Sequence, residues 1–272
     1  MDSDKQNPVR RLRHDDLAQA VRLSETAGWN QTAEDWARYL DLSEGACYAI
    51  DCDGVLAATG GAVCYGRELA WIGMVLTLPA YRGRGLARRI FRHTVEELDQ
   101  RGVRCVKLDA TSMGRELYRP FGFAEECAVE RWSRPAGEFT SAELAGFDLD
   151  AGLDREAFGA DRGALLGNLA RCDAVSLPAA GYAMGRPGRV TTHFGPCVSR
   201  TAAAARSFLE WFLARHSGEA VSWDLMPGNT HAVALAKEFG FERRRGLVRM
   251  RRGGDCTAFP SQVYAIAGFE YG

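Results

Sequence analysis

The feature that most constrains this 272-residue chain is that it says much the same thing twice. Ile90-Phe91 has a counterpart in Phe208-Leu209, Arg82 in Arg200, and Leu117 in Leu235, each 118 positions on (208 − 90, 200 − 82 and 235 − 117). The heptapeptide from Leu117 to Phe123, with its Phe-Gly-Phe ending, returns as Leu235 to Phe241 at the same offset. One short match is weak. A single offset shared by a helical stretch and a later motif is the mark of a duplicated structural unit. Such a chain folds as two related domains, here residues 1–134 and 148–272. The Pro-, Gly- and charge-interrupted stretch 135–147 is the expected linker.

Each unit alternates two periodicities. In the first, His14 to Ala27 carries apolar residues at helical spacing, and Thr32 with Asp35 has the form of a helix start, opening a second helix that turns Trp36, Tyr39 and Leu40 inward. Cys47 to Ile50 and Val55 to Tyr65 read as strands joined by an Asp-Gly turn. Glu68 to Leu78 is a further strand. A helix from Gly85 to Arg101 follows, with Leu86, Ile90, Phe91, Thr94, Val95 and Leu98 on one face. Strand 103–110, short helix 113–121 and strand 123–132 complete the unit. The second half repeats the order, opening with one long helix over 154–171. The class is α/β, a mixed sheet flanked by helices, in tandem. Met1 to Pro8 is expected to be loose.

Bulk properties narrow the function by exclusion. A net charge of −1 and a pI near 6.5 give no general attraction to nucleic acid or anionic membrane. None of the eight cysteines forms a Cys-x-x-Cys pair, and metal-ligand spacing is missing, so neither a disulfide framework nor a zinc site is expected. No apolar run is long enough to span a bilayer. The reading is a cytoplasmic protein with free thiols, no metal, no nucleic acid and no membrane partner.

One segment promises chemistry. After the strand ending at Leu78, Arg82-Gly83-Arg84-Gly85-Leu86-Ala87 turns straight into a helix. Glycines let backbone N–H groups converge, the helix N-terminus adds partial positive charge, and arginines can neutralise phosphate. It lacks the Gly-Lys-Ser/Thr ending of a Walker loop and the third glycine of a dinucleotide fingerprint. Alone it is a generic phosphate cradle, or no more than a solvated basic turn.

With Leu117-Tyr118-x-x-x-Gly122-Phe123 downstream, the sequence resembles the GNAT superfamily of acyl-CoA-dependent N-acyltransferases. The tandem form, with Ala27-Gly28-Trp29-Asn30 early and Ala267-Gly268-Phe269-Glu270 late, looks like the bacterial YitH-like acetyltransferases. The resemblance implies acetyl-CoA as co-substrate and a primary amine of a small molecule, peptide or protein as acceptor. It implies that pantetheine lies along Met74-Val75-Leu76, with an amide near Val75 or Leu76 facing the oxyanion. Tyr118 would be the general acid. Thr111 and Ser112 stand where relatives often carry Asn against the pantetheine arm. For the general base, Glu25, Glu34, Asp35, Glu68 and Asp109 are open, with Asp109 the best placed. Trp29 and Trp36 are expected to line the acceptor pocket. In the second half Arg200-Thr201-Ala202-Ala203 replaces the glycine turn and Ala236 replaces Tyr118, so one site is expected, in the first half. The rival reading is a non-catalytic acyl-CoA sensor.

Overall fold

The computed structural model describes residues 7–140, 144–254 and 258–272. Most of the expected loose start, part of the expected linker and Cys256 lie outside the described residues. The first repeat runs β1 (Arg10–Arg11), α1 (Leu17–Thr26), α2 (Ala33–Leu42), β2 (Cys47–Cys52), β3 (Val55–Tyr65), β4 (Leu69–Thr77), α3 (Leu86–Gln100), β5 (Cys105–Ala110), α4 (Ser112–Tyr118) and β6 (Ala124–Arg134). The second runs α5 (Ala151–Phe158), α6 (Gly163–Leu169), β7 (Asp173–Leu177), β8 (Gly181–Arg186), β9 (Thr192–Ser199), α7 (Ala202–Arg215), β10 (Val221–Leu225), α8 (Thr230–Glu238) and β11 (Glu242–Gly253). A short β12 (Val263–Ala265), unsignalled in the sequence, follows.

Local chemistry explains most boundaries. The Thr32 hydroxyl accepts from the Asp35 amide at 3.2 Å while Asp35 Oδ2 accepts from the Thr32 amide at 3.0 Å, so α2 opens on a reciprocal cap. The long helix expected over 154–171 is instead two. Gly159 turns left-handed, and Arg162 folds back to give Asp154 three buried hydrogen bonds of 2.9–3.2 Å. A buried charge pair of this kind holds the break.

The 118-residue offset survives as packing. Buried Leu86, Ile90, Phe91, Thr94 and Val95 on α3 map onto buried Ala204, Phe208, Leu209, Phe212 and Leu213 on α7.

The repeats do not sit side by side as closed units. The sheet order is β1-β2-β3-β4-β5-β11-β6-β10-β9-β8-β7, one continuous sheet, with β12 on β9. Strand β11 of the second repeat pairs with β5 of the first, and β6 of the first pairs with β10 of the second. The two exchanged strands pair with each other in the middle. Packing follows the exchange: Met250 joins Phe91, Leu108, Tyr118 and Phe123, whereas Trp132 joins Phe208, Phe212 and Trp223. Burying a methionine of this kind stabilises by about 2 kcal/mol.

Two buried ion pairs bolt the exchange. Arg249 on β11 donates to both oxygens of Asp109 on β5, at 2.9 and 3.0 Å. Arg131 on β6 does the same to Asp224 on β10, at 2.7 and 2.5 Å. In each case the two residues face each other in the strand register. Arg131 and Arg249 are counterparts at the 118-residue offset (249 − 131), whereas Asp224 lies 115 residues after Asp109 (224 − 109).

Candidate active site

The turn after β4 has the geometry of an anion cradle. Gly83 and Gly85 take positive φ values of 77° and 73°, and a Cβ at either would meet nothing within 4 Å. The glycines are thus used for conformation and for open space above the backbone. Gly85 is the N-cap of α3 and offers no side-chain cap, so the first amides of this 15-residue helix have no side-chain partner. Arg82 and Arg84 are exposed beside it, Arg84 stacked 4.9 Å over the Tyr81 ring. Leu86 is buried and Ala87 half-buried, anchoring the helix start.

Strand β4 is built to open. It pairs with β5 in parallel only from Leu69 to Trp71, against Cys105 to Lys107. Beyond that β5 keeps only its other neighbour, β11, which pairs with it all the way from Cys105 to Ala110. Met74 adopts φ +54°, and the β3–β4 register slips between Thr59 and Gly61, so β4 bulges at this point. The Thr59 hydroxyl fixes the bulge by donating to the Met74 carbonyl at 2.9 Å. The edge of Met74-Val75-Leu76 facing β5 is left without a strand partner, the condition for binding an extended ligand arm as an added strand.

Tyr118, at the end of α4, is 9% exposed and packs 4.6 Å from the Phe91 ring. Its hydroxyl makes no hydrogen bond among the described residues, and burial pushes its pKa up to about 12. It is held as a neutral donor. Thr111 caps α4, its hydroxyl accepting from Gly114 at 3.2 Å, and Ser112 is the exposed first residue of that helix.

Tyr118 looks into a pocket of about 110 Å³ that also takes in Met74, Val75, Asp109, Thr111, Trp29 and Gln31. Its far wall comes from the second repeat and the closing segment: Arg245, Leu247, Phe269 and Glu270. The closing segment reaches β4 because Gly73 has no side chain; a Cβ there would lie 2.9 Å from Glu270 Cα. Trp71 donates to the Phe269 carbonyl at 3.0 Å and Tyr65 to the Tyr271 carbonyl at 2.8 Å, which fixes the segment in place. Trp36, expected in the pocket wall, is instead fully buried core, donating to Ser24 at 3.2 Å.

Of the carboxylates singled out in the sequence, Asp109 alone lines the pocket, with both oxygens engaged by Arg249. Burial raises its pKa in spite of that arginine. Asp35 is buried under Arg186, Arg38 and its own capping role. Glu68 pairs with Arg155 and Arg104 beside a wider cleft at the opposite end of β4, and Glu25 and Glu34 are exposed. Sequence reasoning missed Glu270. It is 3% exposed, with Oε1 bonded to Arg186 at 3.1 Å and Oε2 buried without a partner. Its signal was the Ala-Gly-Phe-Glu stretch, but nothing local places residue 270 against β4.

Family models decide the kinship. Residues 14–123 match the model described as acetyltransferase (GNAT) family, and residues 151–265 the one described as acetyltransferase (GNAT) domain. The chain belongs to the GNAT family of acetyltransferases. Its two GNAT domains have the fold of several solved proteins. A candidate acetyltransferase from Pyrococcus horikoshii superposes with a TM-score of 0.85 at 23% identity, covering 98% of this chain and 96% of that one. A GCN5-related N-acetyltransferase from Sphaerobacter thermophilus gives 0.67 at 17%, over 93% and 98%. One from Anabaena variabilis gives 0.57 at 16%, over 90% and 72%. A search of curated proteins gave no match. No helix among the described residues is long and apolar enough to cross a membrane, and those residues hold no metal-binding cluster.

The second GNAT domain lacks each part of this arrangement. Between β9 and α7 stand only Arg200 and Thr201, where the first domain has eight residues from 78 to 85. Thr201 caps α7 with its own hydroxyl, accepting from Ala204 at 3.2 Å, and so occupies a helix end that Gly85 leaves open. Ala236 in place of Tyr118 is fully buried. The opening of β9 is filled as well: β12 pairs there, Val263 with Val198 and Ala265 with Cys197. The chain has laid its own strand in that slot.

Proposed function

We propose that this GNAT chain transfers an acetyl group from acetyl-CoA to a primary amine at one site, in the first repeat. The observation that carries the reading is an asymmetry. One repeat keeps an uncapped glycine turn, an open β4 edge and an unbonded Tyr118 hydroxyl, while the other has closed or lost all three.

The residues fit the co-substrate. Gly83, Arg84, Gly85 and the first amides of α3 would hold its pyrophosphate, with Arg82 beside them. The free edge of Met74-Val75-Leu76 would hold pantetheine, and an amide there would face the developing oxyanion. Thr111 spends its hydroxyl on capping α4, so it is no replacement for an amide side chain there. Tyr118, kept neutral by burial, would protonate the departing sulfur. Asp109 is better understood as the buried partner of Arg249 than as the base, because that arginine engages both of its oxygens.

The test has two arms. Gly83→Glu with Gly85→Glu should abolish acetyl-CoA binding in a folded protein; unchanged affinity sinks the assignment of the cradle. Tyr118→Phe should lower kcat by about 100-fold or more while binding is kept. Binding of acetyl-CoA without turnover of any amine in a broad panel would make the protein an acyl-CoA sensor instead.

A further inference from the structure

Among the described residues nine buried side-chain nitrogen or oxygen atoms have no hydrogen-bond partner. Three of them, Gln31 Oε1, Arg245 Nε and Glu270 Oε2, belong to residues lining the one small pocket beside Tyr118. Unsatisfied buried polar groups cost free energy, so three of them on residues that line one pocket point to a ligand that satisfies them. Their chemistry is specific. Gln31 and Glu270 present two acceptors, one carrying negative charge, which suit an ammonium group. Arg245 presents a donor with positive charge and makes no ion pair among the described residues, its guanidinium stacked 5.1 Å over Phe269. Arg131 lies 4.8 Å over the same ring but is already bonded to Asp224. Arg245 and Glu270 thus share a pocket without pairing with each other. Neither feature is duplicated: the residue 118 positions before Arg245 is Cys127.

Resting on the acetyl-transfer reading above, we propose that the acceptor is a small zwitterion of the amino-acid kind, its amine held by Glu270 and Gln31 and its anionic group by Arg245. Glu270 takes the proton from the ammonium. The freed lone pair forms the C–N bond to the thioester carbonyl, and the C–S bond breaks with its electrons on sulfur. Tyr118 gives its hydroxyl proton to that sulfur, and the second proton leaving the new amide restores Tyr118 through solvent. The charged groups facing Glu270 are Arg186 on β8, Asp35 on α2, Arg131 on β6 and Arg245 on β11, with Tyr271 beside it. Burial outweighs these arginines and raises the Glu270 pKa, moving a carboxylate toward the range where it can act as a base. Arg186 also donates to the Ala267 carbonyl and to Asp35, so it positions Glu270 rather than meeting the acceptor.

The experiment compares a set of amino acids, each beside its carboxamide and its decarboxylated amine. Two readouts are used: release of CoA thiol at saturating acetyl-CoA, and calorimetric binding to the CoA-saturated protein. Members with a carboxylate should be favoured at least about tenfold, the scale of one well-placed charged contact. Arg245→Gln should collapse that preference, and Arg245→Lys should restore part of it, which loss of stacking alone would not do. Glu270→Gln should remove the acid limb of the pH–rate profile, since the limb reports protonation of that carboxylate. Equal use of amides and acids, or an intact preference in Arg245→Gln, overturns the proposal. So does a pH profile unchanged in Glu270→Gln. If CoA binds but no amine is acetylated, the transferase reading fails alone, and calorimetry still decides whether the pocket prefers zwitterions.

Discussion

At the scale of single residues, duplication separates chemistry from architecture. Arg131 and Arg249 are counterparts at the 118-residue offset and each bonds a buried aspartate twice, whereas Tyr118, Arg245 and the glycine turn have no equivalent. Replacing Arg249 or Arg131 by Met leaves a buried carboxylate unpaired, and each change should cost about 3–5 kcal/mol in chemical denaturation. Similar losses at both sites mark a duplicated strut; lost turnover with full stability in Arg249→Met would instead return Asp109 to the chemistry. His216 is flanked by Asp173 at 2.9 Å and Glu219 at 3.2 Å, and although burial works against its charge the two carboxylates win and its pKa is raised. Its ion pairs therefore stabilise the fold below the ordinary histidine pKa and are lost as pH rises through the raised one. The Tm deficit of His216→Gln should be largest near pH 5 and vanish by pH 9; a deficit constant across that range rejects the linkage. These residues also show what a sequence can reveal. Gly83, Gly85 and Tyr118 could be singled out because the roles proposed for them depend on neighbours a few positions away. Glu270 is illegible because its role depends on Gly73, nearly two hundred residues earlier.

At the scale of elements, local signals served well and pairing signals poorly. The Thr32 cap and the apolar face of α3 were read from the chain, since each is written within one or two turns of helix. The break between α5 and α6 was not, because Arg162 reads as an ordinary polar residue until Asp154 is known to be buried beside it. Nor was β12, three residues long and meaningful only against β9. That strand suggests a sharp prediction. Ala265→Pro should disturb the β9 slot and loosen the closing segment, reducing acetyl transfer in the first repeat although residue 265 does not line the pocket. Limited proteolysis should show new cleavage after residue 262; an unchanged digest with unchanged turnover would separate β12 from the site. Met250→Ala, on β11, should cost about 2–5 kcal/mol and disturb the packing of Tyr118, because the cavity opens in the first repeat's core.

At the scale of the whole molecule, the two domains foreseen in the sequence are real as repeats but not as separable bodies. The offset of 118 residues shows that a unit recurs; it cannot show which copy of a strand completes which core, since β6 and β11 carry equivalent patterns and either would satisfy either sheet. A fragment ending at residue 134 leaves β5 with only its three-residue pairing to β4, and β6 with neither of its neighbours β10 and β11. It should be insoluble or molten when made alone, and should recover a cooperative melt when refolded with residues 144–272. A soluble, cooperatively melting 1–134 fragment would show that β6 can fold back onto β5 and that the exchange is optional. The exchange also sets an order of events. A ribosome delivers β5 long before it delivers β11, so for most of the chain's synthesis the middle of the sheet is an open edge with its hydrogen-bonding groups unmet. Helices α3 and α4 can form meanwhile, but the site they frame has no far wall. Competence arrives late and all at once, when β11 slides between β5 and β6 and the few residues after it carry Glu270 across to Gly73.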